Sequence, residues 1–305
     1  MVSRYFCSVA SIPSTEQKAL KARIAHLEKQ PKLCYHISMD EKQLARRQRI
    51  LEKIQEFTLM DDNFMTVAFD NDIPCTQYVL RIIMQNDTLI VKSVKTQYEI
   101  KSLQGRSVRL DVRAEDSSGK IYDIEIQNLD SGAGARRARY NSALMDAGTT
   151  VPMMNTENLP ETYVIFITAN DVLGEELPLY HINRKIEETN KLFDDGSHII
   201  YVNGSYRGND AIGSLMHDFS CKKASDIKSD ILSDKVRHLK ESEKGVGYMC
   251  RIMQDFAKEE RAAERAETKI EVAKKLLKQN KMTLEEISEI TEIPLESINQ
   301  LSENL

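Results

Sequence analysis

Hydrophobic positions in this chain change their period repeatedly. Early on they return every three to four residues, as in "KALKARIAHLEKQ", where Ser14 and Gln17 fit a capping box, and in "EKQLARRQRILEKIQEF" after Asp40. "LMDDNFMTVAFDND" and "CTQYVLRIIMQND" predict two more helices around a loop, with Phe64, Val67, Phe69, Val79, Ile82 and Ile83 as core candidates. From "TLIVKSVKTQYEI" onward the period shortens to two, which predicts strands. Helix-like "GARRARYNSALMDAG" ends at Gly148, and "TYVIFITA" (162–169) and "HIIYVNG" (198–204) read as strands buried on both faces. "NRKIEETNKLF" between them predicts a helix, so strands interleave with helices in a mixed α/β core. After about Asp226 the strand signal vanishes. "RIMQDFAKEERAAERAETKIEVAKKLLKQ" predicts one long helix or coiled coil, and two short helices follow, the first boxed by Thr283 and Glu286.

The segment "RLDVRAEDSSGKIYDIEIQ" (109–127) is a hairpin of two alternating arms around a polar turn. On the first arm Val108, Leu110, Val112 and Ala114 share a face opposite Arg109, Asp111 and Arg113. On the second, Tyr122, Ile124 and Ile126 share a face opposite Asp123, Glu125 and Gln127. With the apolar sets on one core, Asp111, Glu125 and Gln127 emerge together. Two carboxylates so placed repel and raise each other's pKa unless a cation neutralises them. A divalent ion such as magnesium or manganese would do so, while keeping waters that a substrate can displace. Salt bridges from Arg109 and Arg113 on a half-exposed hairpin would do so as well.

Composition narrows the classes. The chain has 305 residues, 41% hydrophobic and 29% charged, with a formal net charge of −5, as in an ordinary globular protein. No apolar run is long enough to span a bilayer and the start lacks a signal-peptide core, so a cytoplasmic protein without a membrane is expected. Five scattered cysteines without CxxC spacing predict reduced packing thiols, and six histidines show no ligand spacing. Charge is uneven. Residues 1–50 hold ten Lys/Arg against four Asp/Glu, whereas 151–200 hold three against nine. The basic early helices are either a solvated arm or a phosphate-contacting one.

The stretch from "KTQYEIKSLQGRSVRLDVRAEDSSGKIYDIEIQNLDSGAGARRARYNSALMDAG" through "LPETYVIFITANDVLGEELPLYHI", "LFDDGSHIIYVNGSYRG" and "LMHDFSC" resembles the PD-(D/E)XK nuclease family transposases, the recombination-promoting nuclease family. The resemblance implies a restriction-endonuclease-like α/β fold, a mixed sheet flanked by helices, that cuts double-stranded DNA with Mg2+ (Mn2+ possible) and no organic cofactor. It places Asp111 at the metal-binding aspartate and Glu125 at the (D/E) position. Ile126 would offer its backbone carbonyl to the metal. Gln127 stands where the wider superfamily has lysine. A glutamine can orient a water but has no charge to give, so weak cutting is expected, and a DNA-binding or protein-interaction module without turnover is the alternative. Asp61 or Asp62 would lie near the site, although helix capping also explains an aspartate there. In the following helix the family's Arg-x-x-x-Tyr signature falls on Arg136 and Tyr140, which with Arg137 and Arg139 would meet phosphates.

The resulting layout is a basic helical extension (1–44), a nuclease-like core (45–225), a helical or coiled-coil segment (226–280) and an acidic two-helix tail (281–305). The tail carries six glutamates and no basic residue after Lys281, which suits protein contact better than DNA. Ile252, Phe256, Ala263, Ala266, Ile270, Ala273 and Leu277 recur at near-helical spacing, from which a homodimer through the C-terminal helices is expected.

Overall fold

The computed structural model describes residues 41–100, 108–128, 130–279 and 281–303. The chain divides into two compact units, 1–45 and 46–305. The first lies almost wholly outside the described residues, and with it the Ser14 capping box and the basic extension. The second begins in helix α1 (Glu41–Glu56) and continues through α2 (Asp62–Phe69) and α3 (Ile73–Ile83). Asp72 caps α3 by accepting the Cys75 N–H at 2.9 Å, with Pro74 in the first turn where its missing N–H costs nothing. α2 buries every residue from Phe64 to Phe69, and α3 buries a face of Val79, Leu80 and Ile83.

Next come β1 (Val91–Ile100), β2 (Val108–Asp116), β3 (Ile121–Gln127), α4 (Ala135–Thr149) and β4 (Thr162–Thr168). They are followed by β5 (Leu179–Ile182), β6 (Lys185–Ile186), β7 (Lys191–Leu192) and β8 (Ser197–Asn203). Six strands form one mixed sheet in the order β1-β2-β3-β4-β8-β5. β1, β2 and β3 run antiparallel, β3, β4 and β8 run parallel, and β5 returns antiparallel to β8. Parallel neighbours need a crossover, and α4 supplies it between β3 and β4. β4 is buried along its whole length, as its continuous apolar run predicts.

Segment 183–193 is not the helix that its polar composition suggests. It is the two-stranded ribbon β6–β7, exposed throughout, with Asn190 in the left-handed region (φ 52°). Short helices need an apolar face packed on something, and Ile186, Leu192 and Phe193 stay in solvent.

The rest is helical: α5 (Ala211–Ser220), α6 (Asp230–Glu241), α7 (Glu243–Gln279), α8 (Leu284–Thr291) and α9 (Leu295–Glu303). The Thr283–Glu286 capping box forms as the sequence indicates. The main core does not stop at 225, because Leu232, Val236, Leu239, Met249 and Met253 join it from α6 and α7. At the far end of α7, Ala273, Leu276 and Leu277 pack on Ile287 and Ile298 of α8 and α9. Ala273 and Leu277, expected to face a second chain, are thus satisfied within this one, and the homodimer finds no support there. The Phe256 and Ala263 side chains lie outside the described ones. Among the described residues no helix is long and apolar enough to cross a membrane. Burial pushes the Cys75 thiol up to about 12, as befits a packing group.

Candidate active site

The apolar sets of the hairpin do not share one core. Val112, Ala114, Tyr122, Ile124 and Ile126 pack in the main cluster, under α2 and α3. Leu110 packs on the other side of the sheet with Ile121, Val164, Phe166 and Ala138 of α4, and Val108 joins it there. The change of side falls at Asp111. Its neighbour across the β1–β2 pair is Gln97, which lies between the registered pairs Thr96–Val112 and Tyr98–Leu110 and has φ 50°. A left-handed residue inside a strand breaks the alternation of faces. Asp111 therefore stands where the packing of β2 changes from one side of the sheet to the other.

β2 and β3 pair Arg113 with Asp123 and Val112 with Ile124. One step further, Asp111 comes level with Glu125, and side chains take over from the ladder. The Asp111 N–H donates to Glu125 Oε1 (3.4 Å), and the Ile126 N–H donates to Asp111 Oδ2 (3.2 Å). Each carboxylate thus reaches across to the backbone of the other arm, and the two acids share the seam. Ile126 meets Asp111 here through its N–H.

A cleft of about 1120 Å³ opens at this seam. Asp111, Ile126 and Gln127 line it from the sheet, Asp62 from α2, and Arg136, Arg137, Arg139 and Tyr140 from α4, with Arg109 alongside. Of the two candidate aspartates only Asp62 reaches the cleft. Asp61 is turned back, accepting the Thr58 N–H (2.7 Å) and hydroxyl (2.9 Å). Arg136, Arg139 and Tyr140 are exposed on α4. Arg137 is exposed as well, but its guanidinium is engaged by Glu125. Its Nη2 lies 2.6 Å from Glu125 Oε2, and its Nη1 donates to Gln127 Oε1 (3.3 Å) and the Gly132 carbonyl (3.1 Å). A Cβ on Gly132 would collide with Gln127 Oε1, so glycine leaves room for that amide.

Glu125 is fully buried. Burial raises its pKa, although Arg137 works against the shift. Asp111 is pushed up to about 8 by burial and by the charges of Glu125 and Asp62, with the Ile126 N–H and Arg137 opposing. Asp62 is also raised, by partial desolvation, against Arg109 and Arg137.

A third acid, Asp123, belongs to the same cluster. It is completely buried, and burial together with the charges of Glu125 and Asp111 raises its pKa well above the usual range. Asn141 Nδ2 donates to its Oδ2 at 3.3 Å. Oδ1 finds no donor, which is costly for a buried carboxylate. A protonated Asp123 resolves this, because its carboxyl then has a proton to donate to Glu125. Asp123 and Asn141 escape notice in the sequence, although the signals exist. Asp123 is two positions from Glu125 on one strand, and Asn141 is one helical turn from Arg137.

The sign of the resulting pH effect follows from linkage. Between about pH 4 and 8 the folded state keeps a proton on Asp111 that the unfolded chain has lost (ordinary value 3.8), and Asp123, also raised, acts in the same direction. Stability in chelator-treated buffer should therefore fall as pH rises through this window. Asp123→Asn, which retains a donor toward Glu125, should flatten the slope in urea titrations at several pH values. A variant slope parallel to wild type would contradict a protonated Asp123.

These donors suit a hard divalent cation. Two carboxylates share the seam, one neutralised by Arg137 and the other, Asp111, holding a proton that a cation would replace and opening on a cleft. Among the described residues no three His, Cys, Asp or Glu side chains form a ready cage. A site of two carboxylates would complete its shell with water, backbone and substrate oxygens.

No curated protein and no solved structure matches the chain. A family model does match, over residues 78–205, and its description is PD-(D/E)XK nuclease family transposase. The match covers under half of the chain, from α3 to just past β8, and includes the hairpin and α4. The six-stranded mixed sheet flanked by helices is consistent with the restriction-endonuclease-like fold of PD-(D/E)XK nucleases. Over residues 78–205 this chain is thus similar to the PD-(D/E)XK nuclease family transposases.

Proposed function

We propose that the protein is a metal-dependent DNA endonuclease, linked to recombination or mobile DNA, whose phosphodiester-cleaving site is the Asp111–Glu125 seam. The observation that carries the reading is the reciprocal reach of the two carboxylates across β2 and β3, beside an arginine-lined cleft. Asp111 and Glu125 would hold Mg2+ or Mn2+, with the Ile126 carbonyl as the further ligand that the family resemblance suggests. Bound there, such an ion supplies a Lewis acid for a phosphoryl oxygen and a more acidic water.

The chain's own residues do the rest. Arg136 and Arg139 draw the DNA backbone into the cleft, and their charge offsets the acids that would repel it. Tyr140 lines the same wall and adds a hydroxyl. Gln127 presents its amide beside Glu125, where it can orient a water by hydrogen bonding. Without the positive charge of a lysine it gives the transition state less, by roughly 10²–10³ in rate. Slow cutting is therefore expected, and the glutamine equally supports a form that grips DNA with little turnover. In this layout residues 45–225 carry the chemistry and 281–305 contact protein.

Nicking of supercoiled plasmid tests the proposal. Wild type should nick with Mg2+ or Mn2+ and not with chelator, and Asp111→Ala should stop nicking while retaining salt-dependent DNA binding. A wild type that binds plasmid but never nicks it across a Mg2+ and Mn2+ series would replace hydrolysis with binding alone.

A further inference from the structure

Arg137 is the residue that the proposed chemistry leaves in an unexpected place. Three neighbouring arginines project into the cleft or along its rim, whereas this one spends its guanidinium on Glu125, Gln127 and the Gly132 carbonyl. Its side chain is nevertheless 43% exposed, while that of Glu125 is 0% exposed. The group therefore lies at the border between a sealed acid and open solvent. One face rests over the Phe166 ring, 6.0 Å from its centroid, and the chain also lines the cleft. An arginine has two or more staggered choices at each torsion. Nothing in its own packing confines it to the inward one except Glu125 and its neighbours.

We propose that Arg137 is a built-in counter-ion that gives up Glu125 when a divalent cation binds and then turns its guanidinium to a substrate phosphate. The inference rests on the reading of Asp111 and Glu125 as metal ligands. Its logic is charge balance. Glu125, Asp111 and Asp123 crowd one seam, and without another cation a carboxylate with no exposure needs a positive partner. Arg137 is that partner. Its contact at Glu125 Oε2 occupies an oxygen that a cation would need, so the two compete. Once released, the same side chain stands on the wall where Arg136 and Arg139 already face DNA, and a planar guanidinium suits a phosphate. Metal loading and DNA grip are thereby coupled through one side chain, and the coupling must be reciprocal.

The test measures binding, without turnover. Mn2+ affinity of the full chain is read by calorimetry or by the paramagnetic signal of free Mn2+, for wild type, Arg137→Gln, Arg137→Lys and Asp111→Ala. Circular dichroism establishes that each is folded. Arg137→Gln should bind Mn2+ about tenfold tighter, a competition of about 1.4 kcal/mol, and Arg137→Lys should fall between it and wild type. The second readout is the dependence of duplex affinity on salt, with and without Ca2+ in place of Mn2+. Wild type should gain about one phosphate contact with Ca2+, steepening the slope by about 0.9, and Arg137→Gln should gain none. Arg137→Gln binding Mn2+ no tighter than wild type would overturn the exchange, as would equal slope changes in both proteins. Should wild type bind no Mn2+, or Asp111→Ala bind it equally well, the metal-site reading itself fails. Those results are distinguishable from loss of the exchange alone.

Discussion

Glu125→Gln is expected to slow metal-dependent nicking of supercoiled plasmid by roughly 10²–10³-fold while leaving the protein folded. The choice of glutamine matters. Glu125 has no exposure and is held between Arg137 at 2.6 Å and the Asp123 carboxyl. Truncation to alanine would strand both partners, and breaking a buried pair costs about 3–5 kcal/mol. Lost activity would then mean little. Glutamine preserves the volume, keeps an oxygen for Arg137 and Asp123, and removes only the charge that a divalent cation needs. It also relieves the repulsion that raises Asp111, so the Asp111 pKa should drop below about 8 in the variant. Initial nicking rates with Mg2+ and Mn2+, alongside urea melts, decide the matter. A rate within threefold of wild type would remove Glu125 from the chemistry and leave it as a structural acid.

The largest effect on stability is expected at Lys240. Replacing it with methionine should cost about 3–5 kcal/mol. Lys240 lies in the last turn of α6, 3% exposed, with its ammonium over the Phe64 ring at 5.2 Å from the centroid. The ammonium donates to the carbonyls of Gln55, Phe57 and Lys222, and the Gln55 side chain donates back to the Lys240 carbonyl at 3.0 Å. The last carbonyls of a helix have no partner within it. Here one ammonium caps the end of α1 and ties it to α6 and to the turn after α5. Methionine fills the space but donates nothing, so three carbonyls lose their partner together.

The effect carries a pH signature. Burial lowers the Lys240 pKa from 10.5 to about 8, with Asp61 and Glu56 opposing. Between about pH 8 and 10.5 the unfolded chain binds the proton that the folded state has released, so this group's contribution to stability rises with pH there. The gap between wild type and Lys240→Met in urea melts should widen from pH 8 to 10. A gap that narrows would mean the folded state keeps its lysine charged.

What the sequence alone determined is local in origin. The long helix Glu243–Gln279 follows from a run of good helix formers without Gly or Pro after Gly247, and the Thr283–Glu286 box from two residues three apart. Alternation placed Asp111 and Glu125 on adjoining arms, because period two belongs to the extended backbone itself. The buried run 162–168 announced a central strand by lacking any polar face.

The tertiary structure decided the rest. Leu110 packs on the other side of the sheet from Val112, where a left-handed Gln97 stands on the neighbouring strand, and no pattern within β2 contains that information. Segment 183–193 became a ribbon because no surface was there to receive a helix. Arg137 turned to Glu125 and away from its arginine neighbours, and Asp123 met Glu125 and Asn141 in a site sealed from water. Lys240 found carbonyls 18 to 185 positions away. Such partnerships depend on which groups share a space from which water has been excluded. Burial makes an unpaired charge too costly to leave, and only the assembled fold says who the partner is.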